Sequence, residues 1–388
     1  MNTIETTEQY MMKAFSRIPL IEASGRSCVC TDESGKIYID FGSGIGCNVL
    51  GYCNDAWVKA VCEQVGKIQH ACNYYYTQPQ AEFAEKLCKV TGYSRIFLGN
   101  SGAEANECAI KLARKYSSDK YGENRGTIIT LVNSFHGRTV ATLAATGQEA
   151  FHQYFYPFPT GFAFAKANDL DDLKSKLDGT VCAIMLELVQ GEGGVNVLDP
   201  DYVHAVEAIC KEQDILLMID EVQTGVGRTG TFLAQEQYGI KANVTTLAKA
   251  IGGGLPIGVC MADEQCAEVI SPGTHGSTFG GNPVVCAGAV SVLDQVTADG
   301  FLDAVREKAA YLRGELAKIP EIESLSGLGM MIGMTLKTKN AHDVMLAAND
   351  AGLLVLTAKD KVRLLPPLTV TKEEMDAGLA SLRAVLEA

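Results

Sequence analysis

The sequence predicts an α/β fold: a large domain built on a mostly parallel sheet flanked by helices, plus a smaller α+β domain. Three observations predict it. Short apolar runs alternate with helical patterns between about residues 80 and 260, as parallel strands joined by crossover helices do. The pattern changes after Asn282-Pro283. At 388 residues the chain also exceeds the size at which one hydrophobic core stops growing, so two lobes are expected.

Taken in order, residues 1–45 read as an N-terminal arm, a helix followed by a hairpin. Asp32-Glu33-Ser34-Gly35-Lys36 is the turn between the runs Cys28–Thr31 and Ile37–Phe41. Residues 46–281 form the large domain, with strands expected at Arg95–Leu98, Ile128–Val132, Cys182–Leu186, Ile215–Ile219 and Val244–Leu247. Residues 282–388 form the small domain: two helices to about 318, then short strands at Met331–Leu336, Leu353–Leu356 and Val362–Leu365 with helices between and after. The arm is expected to complete this small domain.

Composition narrows the class. The chain is 47% hydrophobic and 20% charged with a net charge of −13, a globular balance that opposes binding to nucleic acid or anionic lipid. No apolar run approaches the roughly 20 residues that span a bilayer. Met1–Glu8 is acidic and lacks the layout of a secretory signal, so a cytoplasmic protein is expected. The 13 cysteines are scattered, odd in number and contain no C-x-x-C. They read as reduced small hydrophobes, with no metal site.

Two segments carry the chemistry. Leu216–Ile219 ends in Asp220, and Thr245–Ala248 ends in Lys249. Each is a buried-strand pattern that delivers an ionisable group to the C-terminal edge of the sheet, where open α/β sheets bind ligands. A desolvated lysine is a nucleophilic amine. A buried strand-end aspartate needs a cationic partner, although an aspartate there can also simply cap a helix. Together they suit pyridoxal 5'-phosphate, which requires a lysine for its Schiff base and an acid on its ring nitrogen. Val222 could pack on the ring and Gln223 reach its hydroxyl, and Gly252-Gly253-Gly254 would let backbone approach the ligand.

The phosphate would sit where a strand gives way to a helix, at Gly99-Asn100-Ser101-Gly102-Ala103-Glu104. Ser101 and Glu104 also fit a capping box, which would compete for the same amides. Phe135-His136-Gly137-Arg138-Thr139 offers an aromatic for a flat ring and an arginine for a carboxylate; His136 receives no proton-transfer role. Gly225-Val226-Gly227-Arg228-Thr229-Gly230 matches G-x-G-x-x-G, but it lacks the strand and acid spacing of a nicotinamide site.

These segments together resemble the class III (ω-amino) aminotransferases of PLP fold type I, from about residue 8 to the C-terminus. Further matching motifs are Asn73-Tyr74-Tyr75-Tyr76-Thr77, Gly191-Glu192-Gly193-Gly194, His275–Pro283 and Arg363–Leu368. The resemblance implies Lys249 as Schiff-base lysine and proton shuttle, Asp220 as pyridinium partner and Phe135 as the stacking ring. It implies Ser101, Gly102 and Ala103 on the phosphate, with Thr278 reaching the phosphate of the neighbouring subunit's cofactor in a homodimer. Arg138 would bind the substrate carboxylate beside Ser277, and Arg363 the α-carboxylate of glutamate or 2-oxoglutarate. Glu192 would mask Arg363 while an ω-amine is bound. The implied donor is N2-acetylornithine; succinylornithine, ornithine, acetyllysine, 4-aminobutyrate and a succinylated diaminopimelate are the alternatives. A mutase or decarboxylase on the same scaffold would not need Glu192 and Arg363, and a non-catalytic binding protein would not need Lys249 and Asp220. Gly44 stands where ornithine enzymes place a tyrosine for the free α-amino group, which favours an acylated donor. Tyr52, Cys53 and Leu188 depart from the family pattern.

Overall fold

The computed structural model describes residues 2–388. Its centre is a seven-stranded sheet in the spatial order Arg95–Gly99, Gly258–Ala262, Val244–Ala248, Leu216–Asp220, Val181–Leu186, Thr127–Leu131 and Phe162–Ala165. Gly258–Ala262 is antiparallel to both neighbours, and all the other pairings are parallel. Four of these strands are buried at every position, because helices cover both faces. Ile129, Ile184 and Ile219 pack on one face with the helix Pro200–Gln213. Ile128, Met185 and Met218 alternate onto the other, against the helix Gly102–Tyr121.

Two strands of this sheet were not expected from sequence. Phe162–Ala165 is only four residues long and follows a Pro-rich stretch. Gly258–Ala262 opens on a glycine, which reads as a strand breaker. The glycine is there for closeness: a β-carbon on Gly258 would lie 2.0 Å from the Ser101 carbonyl oxygen.

The N-terminal arm contains the helix Thr3–Tyr10 and the strands Glu22–Arg26, Val29–Asp32 and Ile37–Asp40. Asp32 Oδ1 closes the expected turn by accepting the Ser34 and Lys36 amides at 2.8 and 3.0 Å. Ile37–Asp40 then pairs with Leu353–Leu354, so the arm and the C-terminal segments share a sheet. A second four-stranded sheet runs Ile322–Ser326, Ile332–Leu336, Lys361–Leu364, Leu356–Ala358. Its first strand also escaped the sequence reading, since two of its five residues are exposed. The helix Pro283–Val296 packs on Asp55–Val65 and Gln78–Thr91, so the chain passes residue 282 beneath packed helices rather than through a linker. No single helix among the described residues is long and apolar enough to cross a membrane.

Candidate active site

Leu216–Asp220 and Val244–Ala248 are adjacent parallel strands with Asp220 opposite Thr246. Asp220 ends one strand and Lys249 follows the other. Both face one cavity of about 460 Å³, whose walls include Ser101, Gly102, Ala103, Phe135 and Arg138, and also Val222 and Gln223. The structure thus gathers nine of the predicted residues at the carboxyl edge of the sheet.

Asp220 is buried and held from three sides. Its Oδ2 accepts hydrogen bonds from Asn106 Nδ2 and His136 Nδ1, both at 2.8 Å, and its Oδ1 accepts the Val222 amide at 3.0 Å. Asn106 also accepts the Thr246 hydroxyl at 2.7 Å and donates to the His136 carbonyl at 2.8 Å. A carboxylate has about four acceptor sites, so these bonds fix the group and leave capacity for one more N–H. Burial disfavours the His136 imidazolium, but the hydrogen bond to Asp220 and the charges of Asp220 and Glu187 outweigh it, and its pKa is raised.

Lys249 begins a tight turn at φ +48°, a left-handed conformation uncommon outside glycine and often found at functional sites. Burial lowers its pKa; Glu192 and Asp220 oppose that and do not cancel it. A larger share of neutral amine follows.

Ser101 is the N-cap of Gly102–Tyr121, its Oγ accepting the Glu104 amide at 3.1 Å. The reciprocal half of the capping box is absent. Glu104 instead takes the backbone and side-chain N–H groups of Asn100. Gly102 and Ala103, the first two residues of that helix, line the cavity. A β-carbon on Gly102 would meet Val222 Cγ1 at 2.8 Å, so glycine lets the helix start and Val222 share that wall.

Phe135 is set edge-on to Phe151 at 6.0 Å, and the Arg138 guanidinium lies 4.0 Å from the Phe151 ring centroid. The Phe135 amide donates to Glu187 Oε2 at 2.8 Å. Burial pushes the Glu187 carboxyl above the usual range, against the lowering effect of His136.

Beside the cavity, Arg363 Nη1 pairs with Glu192 Oε1 at 2.6 Å and donates to Gln223 Oε1 at 3.1 Å. Its Nε is buried without a partner. Burial works against ionised Glu192, but Arg363 outweighs it and lowers the Glu192 pKa. Gln223 is therefore engaged by this pair.

Ser277 and Thr278, the second expected at a neighbouring subunit's cofactor, do not line the cavity of their own chain: Ser277 Oγ accepts Asn100 Nδ2 at 3.1 Å, and Thr278 is exposed. Of the three consecutive glycines only Gly254 lines the cavity; a β-carbon on Gly253 would sit 2.6 Å from Trp57 Nε1. The G-x-G-x-x-G loop points Arg228 inward, fully buried, with Nη1 donating to the carbonyls of Met330 and Pro366. That arginine ties this loop to the segments around Met330 and Pro366. Tyr52 bonds Asp40 Oδ2 at 2.8 Å, a structural role.

The whole chain fits one known family. Residues 10–386 match the model of class-III aminotransferases. The chain belongs to that family. An acetylornithine aminotransferase of Haemophilus ducreyi is 49% identical over 97% of this chain and 96% of its own. One from Caldanaerobacter subterraneus is 44% identical over 98% of each. Among solved structures, the N-acetylornithine aminotransferase of Stenotrophomonas maltophilia superposes with a TM-score of 0.86 at 34% identity, covering 99% of this chain and 98% of its own. The ornithine aminotransferase of Toxoplasma gondii, which holds PLP in partial occupancy at its active site, gives 0.93 at 29%, covering 99% and 93%. The class-III aminotransferase fold is thus the fold of this chain.

Sequence reasoning missed the support behind Asp220. Asn106 sits on a helix whose apolar period gave no hint of it. Glu187 drew notice only for the unusual residue that follows it. Cys47, another wall residue, carried no signal at all.

Proposed function

We propose that this chain is a PLP-dependent ω-aminotransferase that moves the δ-amino group of N2-acetylornithine to 2-oxoglutarate. The products are N-acetylglutamate 5-semialdehyde and glutamate, a step toward arginine. One observation carries the reading: Lys249 and Asp220 end adjacent strands on one cavity, with the Glu192–Arg363 pair beside it. The names of the relatives support the donor.

The residues fit the cofactor. Asp220 has an acceptor site free for a ring N–H, Phe135 and Val222 offer two faces, and Ser101, Gly102 and Ala103 present a helix start for phosphate. Bound there, pyridoxal 5'-phosphate supplies an aldehyde for the amine and an electron-withdrawing ring. Asp220 holds the ring nitrogen protonated, and Asn106 and His136 hold Asp220. Gln223, gripped by Arg363, would be the wall residue to reach the ring hydroxyl. Lys249 would hold the cofactor through its aldehyde carbon and would take the proton from the substrate's δ-carbon. Arg138 binds the donor carboxylate. Glu192 neutralises Arg363 during this half-reaction, and the α-carboxylate of 2-oxoglutarate displaces it in the next, using the free Nε donor.

Replacing Arg363 by leucine tests that division. It is expected to raise KM for 2-oxoglutarate by about 100-fold, since a buried charge-pair contact is worth roughly 2–5 kcal/mol, and to change KM for N2-acetylornithine by much less. Equal losses for both would contradict the masking role. Gly191→Ala probes the same cluster from behind: its β-carbon would meet Gln223 Oε1 at 2.5 Å and displace Gln223. About a tenfold loss of kcat/KM for 2-oxoglutarate is expected, one hydrogen bond to a charged group being worth roughly 1.5–3 kcal/mol.

We also infer a homodimer. Thr278 is exposed and does not line its own cavity; Tyr74, Tyr76 and Phe279 are exposed too, and Asn73 ties their two segments by donating to the Ser277 and Gly280 carbonyls. Ser277 would then meet substrate from across the interface. Cytoplasmic residence fits the free cysteines. Steady-state kcat/KM across N2-acetylornithine, succinylornithine, ornithine, acetyllysine and 4-aminobutyrate decides the donor. A preference for unacylated ornithine overturns the proposal.

A further inference from the structure

Away from the cavity, the helix Gly102–Tyr121 meets the strand Gly258–Ala262 through two thiols. Cys108 and Cys260 are 1% and 2% exposed and belong to one core cluster. Both line the same second cavity, each close enough to shift the other's titration, with His275 close enough to shift that of Cys108. His275 is fixed from two sides, its ring 4.5 Å from that of Phe97 and its Nδ1 2.9 Å from Lys111 Nζ. This second cavity, of about 190 Å³, reaches Cys108, Cys260 and Cys266. At its mouth stand Arg95 and Glu268, an exposed pair 2.8 Å apart. The buried thiols thus share with an exposed ion pair a cavity large enough for a small polar molecule.

We infer that Cys108 and Cys260 are a peroxide-reactive thiol pair that closes to an intramolecular disulfide. The order of events follows from the asymmetry of the site. Cys260 lowers the Cys108 pKa against burial, with His275 and Lys111 adding to it, while Cys260 itself is raised. Cys108 is therefore the thiolate nucleophile and Cys260 the resolving thiol. The Cys108 sulfur attacks one oxygen of hydrogen peroxide; the O–O bond breaks, hydroxide leaves, and the sulfur becomes a sulfenic acid. Cys260 then attacks that sulfur, the S–O bond breaks, and water leaves with the Cys260 proton. Peroxide is the oxidant, and each turn consumes one. Cys28, Cys30, Cys182, Cys210 and Cys286 stand apart from this pair, since burial raises their pKa and keeps them inert thiols.

The test treats the holoenzyme with one equivalent of hydrogen peroxide, denatures it in iodoacetamide and maps the peptides. The expected product is a Cys108–Cys260 linked peptide lighter by two hydrogens than the reduced pair, reversed by dithiothreitol. In Cys260→Ser the reaction should stop earlier, leaving a sulfenic acid at Cys108 that dimedone traps. Full alkylation of Cys108 and Cys260 while exposed Cys53 and Cys62 oxidise would overturn the inference. So would a link from Cys108 to Cys266, or no dimedone adduct in a folded Cys260→Ser protein. The wild-type map is decisive by itself if that variant does not fold.

Discussion

Lys249→Ala is expected to reduce kcat by about 10⁴-fold or more, leaving a folded protein. The loss combines two functions of one amine: the covalent anchor and the proton carrier, the second alone worth roughly 10²–10⁴-fold. No neighbouring group substitutes. Glu192 is occupied by Arg363, and Asp220 is engaged by three hydrogen bonds. Removing a lysine whose charged form is disfavoured by burial costs the fold little, and relieving a non-glycine residue at φ +48° by another non-glycine residue changes the backbone little. Two measurements check this. Wild-type protein reconstituted with pyridoxal 5'-phosphate should be yellow and bleach on adding glutamate. The alanine variant should bind the cofactor without the wild-type visible band and show no glutamate response. A variant retaining that band, or a rate within tenfold of wild type, would refute the assignment of Lys249.

What could be read beforehand follows from how local each signal is. Asp220 and Lys249 were legible because each closes an apolar run, so burial, direction and charge are all stated within a few residues. The phosphate cradle was legible for the same reason, a strand stopping at Gly99 and a helix starting at Gly102. Asn106 was not, because its partner lies 114 residues away and its own neighbours read as an ordinary helix face. Arg363 and Glu192 are 171 residues apart; no spacing rule joins them, and only family resemblance did. Gly258–Ala262 shows the opposite failure. It is short and opens on a glycine, and what fixes it is the close approach of Gly258 to Ser101 and its pairing on both sides, none of which its own residues state. The G-x-G-x-x-G loop illustrates why a short pattern is weak: its glycines make room for packing around a buried arginine rather than for a ligand.

The second large effect should come from Asp220→Asn. The substitution keeps the side chain's size and one acceptor oxygen, which can still take the Val222 amide, but it removes the charge that keeps a ring nitrogen cationic. Loss of that electron sink is expected to lower kcat by about 10²–10⁴-fold, the range for removing a positioned acid or base, with KM changed far less. Stability should fall as well. His136 Nδ1 and Asn106 Nδ2 both donate to Oδ2, and an asparagine amide turned toward them would leave buried donors facing donors, at roughly 1–3 kcal/mol each. A lower Tm is thus expected alongside the kinetic loss, and His136, deprived of the partner that raises its pKa, should titrate lower by NMR. The two consequences can be separated. His136→Asn or Asn106→Ala should reproduce part of the stability loss while sparing most of kcat, because the carboxylate stays charged though less well held. If either neighbour variant loses as much kcat as Asp220→Asn, the charge itself is not what matters, and Asp220 belongs to the scaffold rather than to the chemistry.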